Sequence, residues 1–131
     1  MITVNKNFFY DWMVLDGSPS GWVASTIKND IIILSFFNNL NDIKFKQNTT
    51  IYIDIPLKLP DSISSYPRIT DLRAKKLLGK YHSSIFYAPL KNWLDLSFFE
   101  INQICQRHSK PKVSIQSYNL FKKISEAQKY F

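Results

Sequence analysis

Apolar residues are bunched into short β-branched and aromatic runs over the first part of the chain and recur every three or four positions over the rest, so strands are expected first and helices afterwards. Asn7 to Leu15 is apolar enough for a first strand ending at Asp16, and Gly17-Ser-Pro-Ser-Gly21 has the chemistry of a turn. Trp22 to Ile27 reads as a second strand, Lys28-Asn29-Asp30 as a polar turn and Ile31 to Phe37 as a third strand. The three make an antiparallel meander. Asn38 to Lys46 is expected to form one short helix, with Asn38 as its cap and Leu40 and Ile43 on one face. Thr49 to Ile55 is a β-branched run that closes at Pro56 and reads as a fourth strand.

Pro56, Pro60 and Pro67 keep the next stretch irregular, after which Ser65 or Tyr66 can start a helix with Pro67 in its first turn and Gly79 as its stop. Ile69, Leu72, Leu77 and Leu78 are its expected buried face, leaving Arg68, Asp71, Lys75 and Lys76 for solvent or a site. Ser83 to Pro89 is expected to be extended. Ser97-Phe98-Phe99-Glu100 has the spacing of a capping box and opens a helix to about His108, with Phe98, Ile101, Ile104 and Cys105 inside. Ser114 caps a last helix in which Leu120, Ile124, Ala127 and Phe131 recur at helical spacing. The 131 residues thus read as one α/β domain, 1–60 mainly strands and 61–131 mainly helices.

Composition changes this picture little. It is 45% hydrophobic and 15% aromatic with few glycines, which argues for a folded protein. No apolar run approaches the roughly 18 residues of a membrane helix, and Asn5, Lys6 and Asp11 do not make a secretory leader, so a cytoplasmic location without membrane contact is expected. The lone Cys105 excludes an internal disulfide and reads as a small core residue. Charge is more informative. Up to Pro60 five lysines balance five aspartates, whereas after it twelve Lys/Arg face five Asp/Glu, and the whole formal +7 lies there. A neutral part carrying acids beside a basic remainder suits a nucleic-acid enzyme, although solvated helix faces are the simpler account of charge alone.

The candidate chemistry comes from strand order. A fourth strand that follows a crossover can lie parallel to the first, which would set Asp16 and Asp54 side by side at the carboxyl ends of their strands. Adjacent carboxylates repel, and a shared proton or a cation relieves this. Their hard oxygens suit Mg²⁺ or Mn²⁺, and metal-assisted phosphodiester hydrolysis follows as one reading. The other is that each Asp is an ordinary turn residue bonding backbone N–H groups. His82 and His108 are isolated and read as surface residues. Trp12, Trp22 and Trp93 read as core.

Five stretches occur in order: Leu15-Asp-Gly-Ser-Pro-Ser-Gly-Trp-Val-Ala24, Ile53-Asp-Ile-Pro-Leu-Lys-Leu-Pro60, Arg68-Ile-Thr-Asp71-Leu-Arg-Ala74-Lys-Lys-Leu-Leu-Gly79, Ser83-Ser84-Ile85-Phe86 with Pro89, and Ser114-Ile-Gln116 before Lys123-Ile124-Ser-Glu126. With these the chain resembles a domain-of-unknown-function family described as predicted RNase H-like nucleases. The resemblance implies an RNase H-like fold in which Asp16 and Asp54 are the first two metal-binding acids on neighbouring strands. It also places Arg68 and Asp71 on a helix facing the same crevice, with Asp71 as a third catalytic acid. Lys75 stands where the family usually has arginine, which keeps the charge and loses the bidentate fork. The family continues to a further strand with an acidic, histidine-containing segment, whereas this chain stops at Phe131, so the C-terminal strand and its ligands are expected to be missing.

Two classes of function follow. The first is a nuclease or phosphodiesterase using Asp16, Asp54 and Asp71, with Mg²⁺ or Mn²⁺ held by Asp16 and Asp54 and nucleic acid met by Arg68, Lys75, Lys122 and Lys123. The second is a non-catalytic nucleic-acid-binding module or subunit with a degenerate RNase H-like fold, completed by a second chain. A fourth strand with an open edge favours a homodimer or a partner subunit that covers it.

Overall fold

The computed structural model describes residues 7–131. They form two compact units, the first running to Ile55 and including Lys129–Phe131, the second covering Pro56–Gln128. The strands are β1 (Asn7–Phe8), β2 (Trp12–Ser18), β3 (Gly21–Lys28), β4 (Ile31–Phe37), β5 (Lys44–Phe45) and β6 (Thr50–Ile53). The helices are α1 (Ile69–Leu78), α2 (Phe98–Arg107), α3 (Ile115–Asn119) and α4 (Phe121–Tyr130).

The first unit is built on a four-stranded mixed sheet of order β4-β3-β2-β6, with β2, β3 and β4 antiparallel and β6 parallel to β2. The expected meander and parallel fourth strand are therefore present. Both turns of the meander are two residues long. Asn29 and Asp30 have φ of 51° and 60°, the left-handed pair that a type I′ hairpin demands and that their short polar side chains tolerate. The first turn is tighter than the sequence suggests. Only Pro19 and Ser20 are in it, and pairing continues to Ser18↔Gly21, so Asp16 lies inside β2 rather than at its end. Gly21 is required there, because a Cβ would stand 2.1 Å from the Phe37 carbonyl oxygen.

Side chains alternate strictly across this sheet. One face carries Met13, Leu15, Trp22, Ala24, Ser35 and Phe37, all buried. The other carries Trp12, Val14, Ile27, Ile32, Phe36 and Tyr52, all exposed. The segment expected to be a helix from Asn38 is instead a single 3₁₀ turn, Leu40–Asp42, followed by β5. Asp42 accepts from the Asn39 N–H at 3.2 Å in a capping box that starts the turn, and the extended backbone of Ile43 ends it after three residues. The freed chain then pairs as β5 with β1, in a separate two-stranded parallel sheet.

In the second unit the Ser97 capping box is present: Ser97 Oγ accepts from the Glu100 N–H at 3.3 Å while Glu100 accepts from the Ser97 N–H at 2.8 Å. Helix α2 ends in a Schellman motif, with Lys110 N–H donating to the Cys105 carbonyl at 2.8 Å, Ser109 N–H to that of Gln106 at 3.2 Å, and Ser109 at φ 51°. The last helix is broken. Ser114 caps α3 as expected, accepting from the Ser117 N–H at 3.1 Å, but the chain restarts at Phe121. The buried stripe becomes Ser117, Phe121, Ile124 and Ala127, and Leu120 and Phe131 are exposed. Ser83 to Pro89 is irregular after a 3₁₀ segment over Gly79–Ser84.

Helix α1 reverses its expected orientation. Ile69, Leu72 and Leu77 are 65%, 44% and 87% exposed, and Asp71 is 5% exposed. The reason is the bonding of Asp71 described below. Gly79, at φ 50°, ends the helix as expected. Among the described residues no helix is long and apolar enough to cross a membrane.

Candidate functional site

The parallel ladder of β2 with β6 ends at Leu15↔Ile53, and the next residue in each segment is an aspartate. Asp16 is still within β2 and pairs with Val23 of β3, which in turn pairs with Phe36 of β4, whereas Asp54 is the first residue past the end of β6. Both aspartates are exposed. Asp16 follows buried Leu15 and so takes the open face, with Val14 and Trp12. Solvent-exposed carboxylates can bind a hard cation or accept hydrogen bonds.

The second acid-bearing assembly lies wholly within the helical unit. Asp71 accepts from Arg68 Nε at 3.2 and 3.1 Å and from Nη2 at 2.6 Å, and its Oδ2 also accepts from the Ala88 N–H at 3.0 Å. Arg68 Nη1 donates to the Lys58 carbonyl at 3.0 Å. Both oxygens of Asp71 and most of the guanidinium are therefore committed to holding the Pro56–Pro60 and Ala88 segments against the start of α1. The resemblance brings Arg68 and Asp71 together correctly; the structure gives this pair a scaffolding geometry, with Asp71 turned inward and not open to solvent.

Of the other basic candidates, Lys75 is half-buried with its Nζ 4.6 Å from the centre of the Tyr87 ring. On α4, Lys122 is exposed and Lys123 Nζ lies 3.8 Å from Glu126 Oε2. Among the described residues no group of three or more His, Cys, Asp or Glu side chains could hold a metal ion, so Asp16 and Asp54 have no third protein ligand of that kind. His82 and His108 are exposed as expected, and Cys105 is buried, which pushes its thiol pKa up.

The helical unit also contains a cavity of about 500 Å³ whose wall includes Tyr66 and Lys112. Neither residue stands out in the sequence. Tyr66 sits between prolines and turn residues, and Lys112 is one of many lysines. Only the Ser83–Phe86 and Ser114–Gln116 stretches point towards this wall.

The fold defines an α/β protein whose mixed sheet carries Asp16 on its open face and is followed at its parallel edge strand by Asp54. The family model described as "Protein of unknown function (DUF429)" matches residues 15–131, and the chain belongs to that family. The match begins at Leu15 and so takes in Asp16, Asp54, the Arg68–Asp71 pair and the cavity. No curated protein and no solved structure matches the chain.

Proposed function

We propose that the protein is a divalent-metal-dependent nuclease or phosphodiesterase with an RNase H-like fold, acting in the cytoplasm, in which Asp16 and Asp54 hold Mg²⁺ or Mn²⁺. The observation that supports this reading is the parallel pairing of β2 with β6, which puts the two carboxylates one register step past Leu15 and Ile53. An ion of this kind commonly keeps several waters and is bound through one or two carboxylates together with substrate phosphate, and a solvent-facing two-acid donor set fits that habit. When bound, it supplies charge stabilisation at the phosphate and a more acidic water.

The chain's own residues do the rest. Asp16 is held in β2 by its pairing with Val23 of β3, and Asp54 follows directly on the last β6 residue paired with β2, so the two acids would hold the ion from neighbouring strands. The basic groups of the helical unit, Lys122 and Lys123 among them, supply long-range attraction for a phosphate backbone. Arg68 and Asp71 act as positioning residues, because their polar atoms are already bonded to each other and to the backbone. The test is cleavage of single- and double-stranded DNA and RNA by the purified chain with Mg²⁺ or Mn²⁺. Cleavage is expected, and it should be lost in Asp16→Asn and Asp54→Asn. Inactivity on every substrate, or unchanged activity in both variants, overturns the reading.

A second reading is favoured by the two-acid donor set and by β6 forming an edge of the sheet. The protein is then a nucleic-acid-binding subunit whose site is completed by a homodimer mate or a partner chain covering that edge. It predicts binding that weakens steeply with salt and on Lys122→Glu/Lys123→Glu. A strict monomer by light scattering at high concentration, with salt-independent binding, rules it out.

A further inference from the structure

The cavity in the helical unit combines three properties that the acid pair does not use. Its charge is of one sign: Lys75, His82 and Lys112 line it, and no aspartate or glutamate does. Its wall includes a residue whose buried polar atom has no hydrogen-bond partner among the described residues. Tyr66 is 1% exposed, and its hydroxyl is buried without a hydrogen-bond partner. Buried hydroxyls are normally satisfied, and one that is not calls for a ligand or water as its missing partner. Burial pushes the Tyr66 phenol above its ordinary range, so it stays a neutral O–H donor.

The third property is preorganisation. Tyr66 is fixed by edge-on packing with Trp93 at 4.7 Å and Tyr87 at 6.0 Å between ring centres. Lys75 rests on the other partner ring, 4.6 Å above Tyr87. Lys112 is delivered by the Schellman end of α2, and Val113 beside it is pinned by Asn102, which accepts from its N–H at 2.9 Å and donates to its carbonyl at 3.2 Å. A volume of about 500 Å³ lies within the range of small-molecule sites. Phe86, on the same wall and 44% exposed, leaves a ring surface available for a flat partner.

We propose that this cavity is a binding site for a phosphate monoester, with the phosphate between Lys75 and Lys112, the Tyr66 hydroxyl donating to it, and Phe86 offering a face for the base of a mononucleotide. Lysines bind phosphate as point charges, a phenol O–H adds a charge-assisted hydrogen bond, and aromatic faces stack bases without regard to sequence. The site is separate from the acid pair and does not depend on its chemistry.

The test is titration of the full chain, in a chelator to remove divalent ions, with AMP, inorganic phosphate and adenosine, read by calorimetry and by amide shifts. AMP should bind and adenosine should not. Inorganic phosphate binding more weakly than AMP identifies a nucleotide, and equal affinity identifies the phosphate alone; either supports the site. Lys75→Ala and Lys112→Ala should each weaken AMP by about tenfold. Tyr66→Phe should weaken it several-fold while leaving the melting temperature undiminished, which separates lost binding from lost folding. Asp16→Asn should leave AMP binding unchanged, so failure here and failure of the nuclease reading are distinguishable. Adenosine binding as tightly as AMP, no response to millimolar AMP, or unchanged affinity in both lysine variants overturns the proposal.

Discussion

Asp16 lies on the open face of the sheet beside Val14 and Trp12, exposed to solvent, whereas Asp71 is sealed into the helical unit with both oxygens bonded to Arg68 and one of them also to the Ala88 N–H. The same side chain serves opposite ends in the two places. Burial without a partner would make Asp71 intolerable, so its surroundings supply a guanidinium and a backbone donor, and α1 turns its apolar residues outward to keep them. Asp16 is exposed to solvent and has no such sealed surroundings. An acid that stability explains is a scaffold, and one that stability does not explain is where chemistry should be sought.

The largest expected effect breaks the buried side of this contrast. Asp71→Ala leaves Arg68 and the Ala88 N–H without their acceptor and should cost about 3 kcal/mol in urea unfolding. A loss under about 1 kcal/mol would mean that the pair is not a scaffold. Next comes Ser97→Ala, which removes a local cap in the same unit and should cost about 1 kcal/mol. Its pH dependence has a definite sign. The Ser97 hydroxyl, and then the Ser97 N–H, hold the Glu100 carboxyl below its ordinary range. A carboxyl lowered on folding contributes stability above its unfolded pKa and loses it as pH falls through the folded value. The difference between wild type and variant should therefore narrow under acid, as melting curves across that range will show. Smallest is Asp16→Asn, which should shift stability by no more than about 0.5 kcal/mol while removing metal-dependent cleavage. A loss above about 1.5 kcal/mol would make Asp16 structural too and dissolve the contrast.

The sheet was far more legible in the sequence than the helices. Strand periodicity is local, and the turns Pro19-Ser20 and Asn29-Asp30 carry their own backbone preferences, so the meander and its parallel fourth member could be read directly. The capping box at Ser97 was legible for the same reason. What the sequence hid depends on distant partners. The inward turn of Asp71 requires the Ala88 N–H, the 3₁₀ turn at Leu40 leads into a strand that pairs with β1, and Tyr66 gains meaning only from a cavity closed by residues near 75, 83 and 112. The end of α2 was legible near His108, although its left-handed position is held by Ser109 where glycine is the usual signal. Of the site, the parallel pairing that leads up to Asp16 and Asp54 was readable from strand order, and the basic cavity was not.

The way β6 joins the sheet has a kinetic consequence. The two hairpins close over two residues each and can form early, whereas the ladder that begins at Trp12↔Thr50 must close over the whole meander and the segment after it. Asp54, the first residue past this four-residue strand on the rim of the sheet, is carried towards β2 only in that last, entropically dearest closure. Any site that draws on both acids is thus a reporter of complete assembly: it is among the latest features to exist on folding and the earliest to vanish when the rim frays.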